Sequence, residues 1–87
     1  MIIKKKAWPE MFEAVLNGKK KFDLRLDDFE CKEGDTLILE EWNPETNKYT
    51  GRKIEKKISY VLKTKELGFW KKEDVERFGF LVISLED

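Results

Sequence analysis

Apolar and polar positions follow two different periods along the chain, and the switches between them mark out its elements. The opening run IIKKKA (Ile2–Ala7) predicts a first strand. The next stretch, WPEMFEAVLNG (8–18), changes to helical spacing: Phe12, Val15 and Leu16 fall at i, i+3 and i+4 and are expected on the core, with Met11 widening the stripe. Pro9 suits a first helical position, Glu10 suits the positive end of the helix dipole, and Gly18 suits a left-handed stop.

From residue 21 the period drops to two. In KFDLRL, Phe22, Leu24 and Leu26 share one parity and Lys21, Asp23 and Arg25 the other, which predicts a half-buried strand with its apolar side inward. DDFECKEGD (27–35) is a turn region ending at Gly34 and Asp35, and TLILEEW (36–42) is a third strand. NPETNKYTG (43–51) carries the turn residues Asn43, Pro44, Asn47 and Gly51 and predicts a hairpin loop. RKIEKKISYVL (52–62) returns as a long strand with Ile54, Ile58, Tyr60 and Leu62 on one parity. Lys56 interrupts that parity, so a bend or bulge is expected beside it. Residues 63–79 are ambiguous, a loop with one helical turn at 72–77, and FLVISLE (Phe80–Glu86) closes the chain as a buried strand. Trp70, in the loop, reads as a lid over the core more readily than as a stacking platform.

Five short strands with one early helix lack the alternating helices of a doubly wound parallel sheet. The expected fold is α+β and mostly β: a small, strongly bent mixed β-barrel of five or six strands, with one main helix after the first strand. Closure would hide strand edges that otherwise invite aggregation. At 87 residues, with no linker or repeat, residues 1–87 form a single domain.

Composition narrows the chemistry. Eighteen basic residues balance eighteen acidic ones, which argues against a uniformly basic surface but leaves room for a local cationic patch. Abundant Lys and Glu with no His or Gln resemble the composition of proteins from hot environments. The lone Cys31 excludes an internal disulfide and reads as a bystander in a polar turn. Without His there is no Ser-His-Asp triad, no Cys-His dyad and no histidine-ligated zinc. A phosphate-cradling G-x-x-x-x-G-K loop is absent too. No cofactor or metal is expected. With no signal peptide and no apolar run of membrane length, a cytoplasmic protein without a membrane partner is expected.

Candidate binding residues cluster in three stretches. Lys20, Asp23 and Arg25 lie in NGKKKFDLR, either as a solvated face with a weak ion pair or as the wall of an anion site. Strict alternation puts Lys21 rather than Lys20 on the face of Asp23 and Arg25, but Lys20 sits at a turn where alternation need not hold. Lys6 and Trp8 lie in KKKAWPE, where a base could stack on the indole while Lys6 meets a phosphate; alternatively Trp8 staples onto Phe12. In EEWNPETNKYTGR, Trp42 and Tyr49 are placed to pair across the hairpin, and Thr50 and Arg52 to border a cleft. Glu41 is the carboxylate best placed for an acid-base step, with surface pairing to Lys or Arg as its plain alternative.

Gly18, Lys20, Asp23 and Arg25 fit the G-x-K-x-x-E-x-R signature of the ASCH domain, a relative of the PUA RNA-binding domain, with Asp23 in place of Glu. WPEMFEAVLNGKKKFDLR and EGDTLILEEWNPETNKYTGR, together with FGFLVISL, resemble the DUF3850 subgroup over nearly the whole chain. That resemblance implies a PUA-like fold and binding of single-stranded RNA or a nucleotide-like ligand in a cleft beside the first helix. Some members resemble amidohydrolases of N4-acetylcytidine, using a Lys, a Thr and a Glu, or a ribonuclease. Lys20 matches that Lys, whereas Asp23 occupies the Thr position, so the nucleophile does not carry over. The leading expectation is a binding module with a cationic cleft. A small hydrolase of the same fold and a protein-interaction or regulatory domain are the alternatives.

Overall fold

The computed structural model describes residues 1–64, 68 and 71–87. Its elements run β1 (Ile2–Ala7), α1 (Pro9–Leu16), β2 (Phe22–Leu26), β3 (Thr36–Asn43), β4 (Lys48–Lys63), α2 (Lys72–Phe78) and β5 (Phe80–Glu86). The five strands form one sheet in the order β1-β3-β4-β5-β2. β1 lies parallel to β3 and every other ladder is antiparallel. The sheet is mixed, as expected, and curls into a half-barrel rather than closing. β1 and β2 are its two ends, so the barrel has an open seam between them.

The concave side holds the core: Ile3 and Ala7 of β1, Leu37 and Leu39 of β3, Ile54 and Ile58 of β4, and Leu81 and Ile83 of β5. Phe12 and Val15 of α1 complete it, both almost fully buried. Leu16 and Met11 were expected in the same stripe but are about half exposed. With eight residues, α1 presents only two turns, and its buried stripe is too narrow to take them in. The helix starts on Trp8 with Pro9 in the first turn and no side-chain cap. It ends where Gly18 takes a φ of +81°, and the Lys20 N–H donates to the Ala14 carbonyl, swinging the chain into β2.

β2 reverses the expected polarity. Phe22, Leu24 and Leu26 are about half exposed, and Asp23 is buried. The register with β5 explains this: Asp23 stands opposite Ile83 and Arg25 opposite Leu81, and directly paired residues share a face. Both β5 residues are wholly buried, which fixes Asp23 and Arg25 on the inner side. The apolar parity of β2 joins Phe80 and Val82 on the outer side.

Two irregularities shape β4, which begins four residues earlier than expected. Between Glu40↔Lys53 and Trp42↔Tyr49, three residues of β4 oppose the single Glu41, and Gly51 at their centre has a φ of +94°. A second shift, between Ile58 and Tyr60, changes parity at Ser59, so Val61 packs on the core and Tyr60 is exposed. The expected interruption beside Lys56 thus falls three residues later, and Tyr60 leaves the inner parity. Lys56 itself is half-buried, with its ammonium on the Asp87 carboxylate. Cys31 is not in a solvated turn but at the edge of the core, where burial and the nearby Asp35 carboxylate push its thiol pKa up. The expected helical turn near residue 72 is α2; Trp70 lies outside the described residues.

Candidate functional site

The open seam forms a cleft of about 560 Å³. One wall comes from the β1–α1 junction, with Ala7, Trp8 and Met11; the other comes from β2, with Phe22 and Leu24. Lys20, Asp23 and Arg25 line it as well, and Lys6 reaches it from β1. A cavity of this size suits one small organic ligand.

The cationic part is built around Asp23. Its carboxylate is 5% exposed and accepts hydrogen bonds from Arg25 Nε at 2.6 Å and Arg25 Nη2 at 3.3 Å. Lys20 Nζ lies 3.9 Å from Asp23 Oδ1, donates to the Phe22 carbonyl at 2.9 Å and sits 4.8 Å from the centre of the Phe22 ring. The side chains of Lys20 and Arg25 are 15% and 22% exposed, so solvent reaches both. Two cations held on one carboxylate leave net positive charge at fixed positions. Lys21, the rival to Lys20 on alternation, is exposed and lines a neighbouring groove of about 300 Å³ instead.

Trp8 is 61% exposed, whereas Phe12, four residues on, is buried. Its indole stands free to take a flat ring. Lys6 is less free: its ammonium lies 3.9 Å over the Trp42 ring and 5.7 Å from that of Tyr49. Trp42 and Tyr49 face each other in register with an edge-to-face contact at 5.0 Å, the cross-strand pair read from the hairpin sequence.

Glu41, Thr50 and Arg52 do not line the cleft; they form a second cluster created by the Gly51 bulge. Glu41 is buried and accepts from Thr50 Oγ1 at 2.6 Å and from Arg52 Nε and Nη2, each at 3.0 Å. Arg52 Nη2 also donates to Glu13 of α1 at 2.8 Å, and the guanidinium lies 4.9 Å over the Phe12 ring. The hydrogen bonds from Arg52 and then Thr50 outweigh burial and hold the Glu41 carboxyl below its ordinary pKa, while the carboxylates hold the Arg52 guanidinium more firmly protonated than usual. A carboxylate so engaged is a strut between hairpin and helix rather than a proton donor. Met11, Phe22 and Leu24 line the cleft without having been marked in the sequence; an apolar residue on an edge strand looks identical whether it faces core or cleft. Among the described residues no group of three or more His, Cys, Asp or Glu is placed to hold a metal ion. Nor is any helix long and apolar enough to cross a membrane.

Fold and site together define a small half-barrel domain with a cationic, aromatic-walled cleft at its open seam. The chain belongs to the DUF3850 family, a domain of unknown function whose model matches residues 3–73. An uncharacterized 12.9 kDa protein in the GpA 3' region of Escherichia phage P2 is 46% identical over 50 residues, covering 58% of this chain; the chain spans 44% of that relative's length. The crystal structure of hypothetical protein PH0355 has a similar fold, with a TM-score of 0.67 at 22% identity over 99% of this chain and 98% of that one.

Proposed function

We propose that the seam cleft binds a nucleotide-like ligand: a nucleoside, a nucleotide or the end of a single-stranded RNA. The observation that carries this reading is the pairing, in one cleft, of an exposed indole with two positioned cations, Trp8 with Lys20 and Arg25. A nucleotide presents the matching pair of features, a flat base and an anionic phosphate. The guanidinium, held by Asp23 along one edge, offers the rest of its fork to a phosphate oxygen or a base edge. The Lys20–Asp23–Arg25 arrangement falls on the ASCH-like signature, and the cleft lies beside the first helix, where a PUA-like relative would hold RNA. A balanced overall charge suits one to a few nucleotides better than a long duplex.

Catalysis is the weaker reading. Asp23 carries no hydroxyl to serve as nucleophile, Lys20 is engaged by Phe22 and Asp23, and Glu41 is bound up outside the cleft. The test is a salt-dependent titration of short single-stranded RNA and mononucleotides against wild type, Lys20→Ala, Arg25→Lys and Lys21→Ala, with melting points alongside. Lys20→Ala should weaken binding and flatten the salt slope by somewhat under one unit for a single strand. Arg25→Lys should not restore wild-type affinity. Lys21→Ala should have the smallest effect. Equal effects of all three substitutions would reduce the site to a diffuse patch.

A further inference from the structure

We infer that the groove beside the seam cleft is a second phosphate subsite, which takes the next phosphodiester of a single-stranded RNA, and that the Asp87 carboxylate occupies it as a displaceable stand-in. The inference rests on the reading of the seam cleft as a nucleotide site. The groove has a volume of about 300 Å³ and shares Val15 and Lys20 with the cleft, so the two adjoin at Lys20. Lys21, Lys56 of β4 and the end of β5 line the rest of it. The Lys21 carbonyl accepts from the Leu85 N–H, which ties the turn after α1 to that end of β5.

Lys56 distinguishes this groove from a patch of surface lysines. It stands on the inner parity of β4, between the buried Ile54 and Ile58 and opposite the wholly buried Leu37. Its side chain is only 20% exposed. The stem runs along the core and delivers the ammonium to the groove. Among the described residues that ammonium has one ion-pair partner, the Asp87 side chain. The ladder explains the pairing: one step beyond Lys57↔Glu86, Asp87 comes opposite Lys56. The pull of Lys56, with a smaller one from Lys21, holds the Asp87 carboxyl below its ordinary pKa.

The groove therefore already holds an anion, and holds it loosely. The Asp87 side chain is 92% exposed, unlike the buried Asp23 and Glu41, and an ion pair with so exposed a partner gives way readily to a competing anion. Glu86 also borders the groove, but it stands opposite the exposed Lys57 on the other parity. Val15 and Leu85 add apolar wall for a ribose to lie against. A volume of this size is at the lower end of ligand sites and admits a sugar-phosphate unit. A nucleoside monophosphate in the cleft spends its one phosphate on Lys20 and Arg25. A strand has a further phosphate to place past Lys20, where Lys56 waits.

Calorimetric titration of the trinucleotide ApApA and of AMP against wild type, Lys56→Met, Asp87→Asn and the double variant tests this, with melting points alongside. A trinucleotide reaches the groove whichever way the strand runs. Wild type should bind ApApA more tightly than AMP. Lys56→Met keeps the packing of the stem; it should weaken ApApA about tenfold, the scale of one charge-assisted contact, and leave AMP unchanged. Asp87→Asn should tighten ApApA and not AMP, and that gain should vanish in the Lys56→Met background. An Asp87→Asn gain that is equal for both ligands, or that persists without Lys56, reduces Asp87 to a general field effect and overturns the inference. So does an unchanged ApApA affinity in Lys56→Met. Equal affinity of wild type for AMP and ApApA overturns the inference and leaves the cleft reading standing, whereas binding of neither removes both. Should Lys56→Met fail to fold, the contrast between ApApA and AMP in Asp87→Asn decides alone.

Discussion

Replacing Asp23 by Ala, and separately Leu24 by Asp, pits the observed polarity of β2 against the one its alternation suggests. Asp23→Ala removes a carboxylate that is 5% exposed and holds Arg25 through two hydrogen bonds and Lys20 at 3.9 Å. Breaking a buried ion pair by deleting one partner costs roughly 3 to 5 kcal/mol. Here Arg25 and Lys20 keep access to cleft water, so the cost falls below that range, to about 2 to 3 kcal/mol. Total stability for 87 residues is expected at about 4 to 13 kcal/mol. A domain of this size loses about 4 to 8 °C per kcal/mol, giving a fall of roughly 10 to 20 °C. Leu24 is 54% exposed, and surface changes stay near ±0.5 kcal/mol, so Leu24→Asp should cost only a few degrees. Thermal melts by circular dichroism give both numbers. A large loss for Leu24→Asp with little for Asp23→Ala would refute the inward placement of Asp23.

Three other outcomes follow from the same packing. Phe12→Ala should lower the melting point by 12 °C or more, since truncating a buried Phe costs roughly 3 to 5 kcal/mol; an unchanged melting point would show that α1 does not dock through Phe12. Glu41 has its pKa lowered in the folded state, so its contribution is complete above the ordinary value of 4.5 and is lost as pH falls from there through the folded value. The melting-point advantage of wild type over Glu41→Gln should therefore be flat above that pH and shrink below it; an advantage that grows on acidification contradicts the strut. Finally, N4-acetylcytidine should not be hydrolysed, and turnover abolished by Asp23→Ala would point to chemistry that Asp23 supports.

Periodicity made the element order legible, and β1 and β5 fall where their apolar runs placed them. The cross-strand pair of Trp42 and Tyr49 was equally readable, because turn residues set the hairpin register. Alternation did not tell which side of β2 faces inward. That choice belongs to β5, fifty-odd residues away, whose Leu81 and Ile83 fix the shared face. Of the marked residues, Lys6, Trp8, Lys20, Asp23 and Arg25 meet at one cleft. Glu41, Thr50 and Arg52 come together elsewhere, because Gly51 bulges β4 and turns both neighbours onto Glu41. A bulge in a ladder is set by pairing between strands, so the local residue pattern did not reveal it.

The central claim is that the exposed indole of Trp8 and the adjoining cations make a nucleotide site, and calorimetric titration of wild type and Trp8→Ala with a short single-stranded RNA tests it most directly. Trp8 supports little of the core, so Trp8→Ala should melt like wild type. One base stacked on an aromatic ring is worth about 1 to 3 kcal/mol, which predicts saturable binding by wild type and an affinity roughly five- to hundredfold lower for Trp8→Ala. Equal affinity of the two proteins, or no saturable binding of RNA, nucleotide or nucleoside by wild type, would contradict the account.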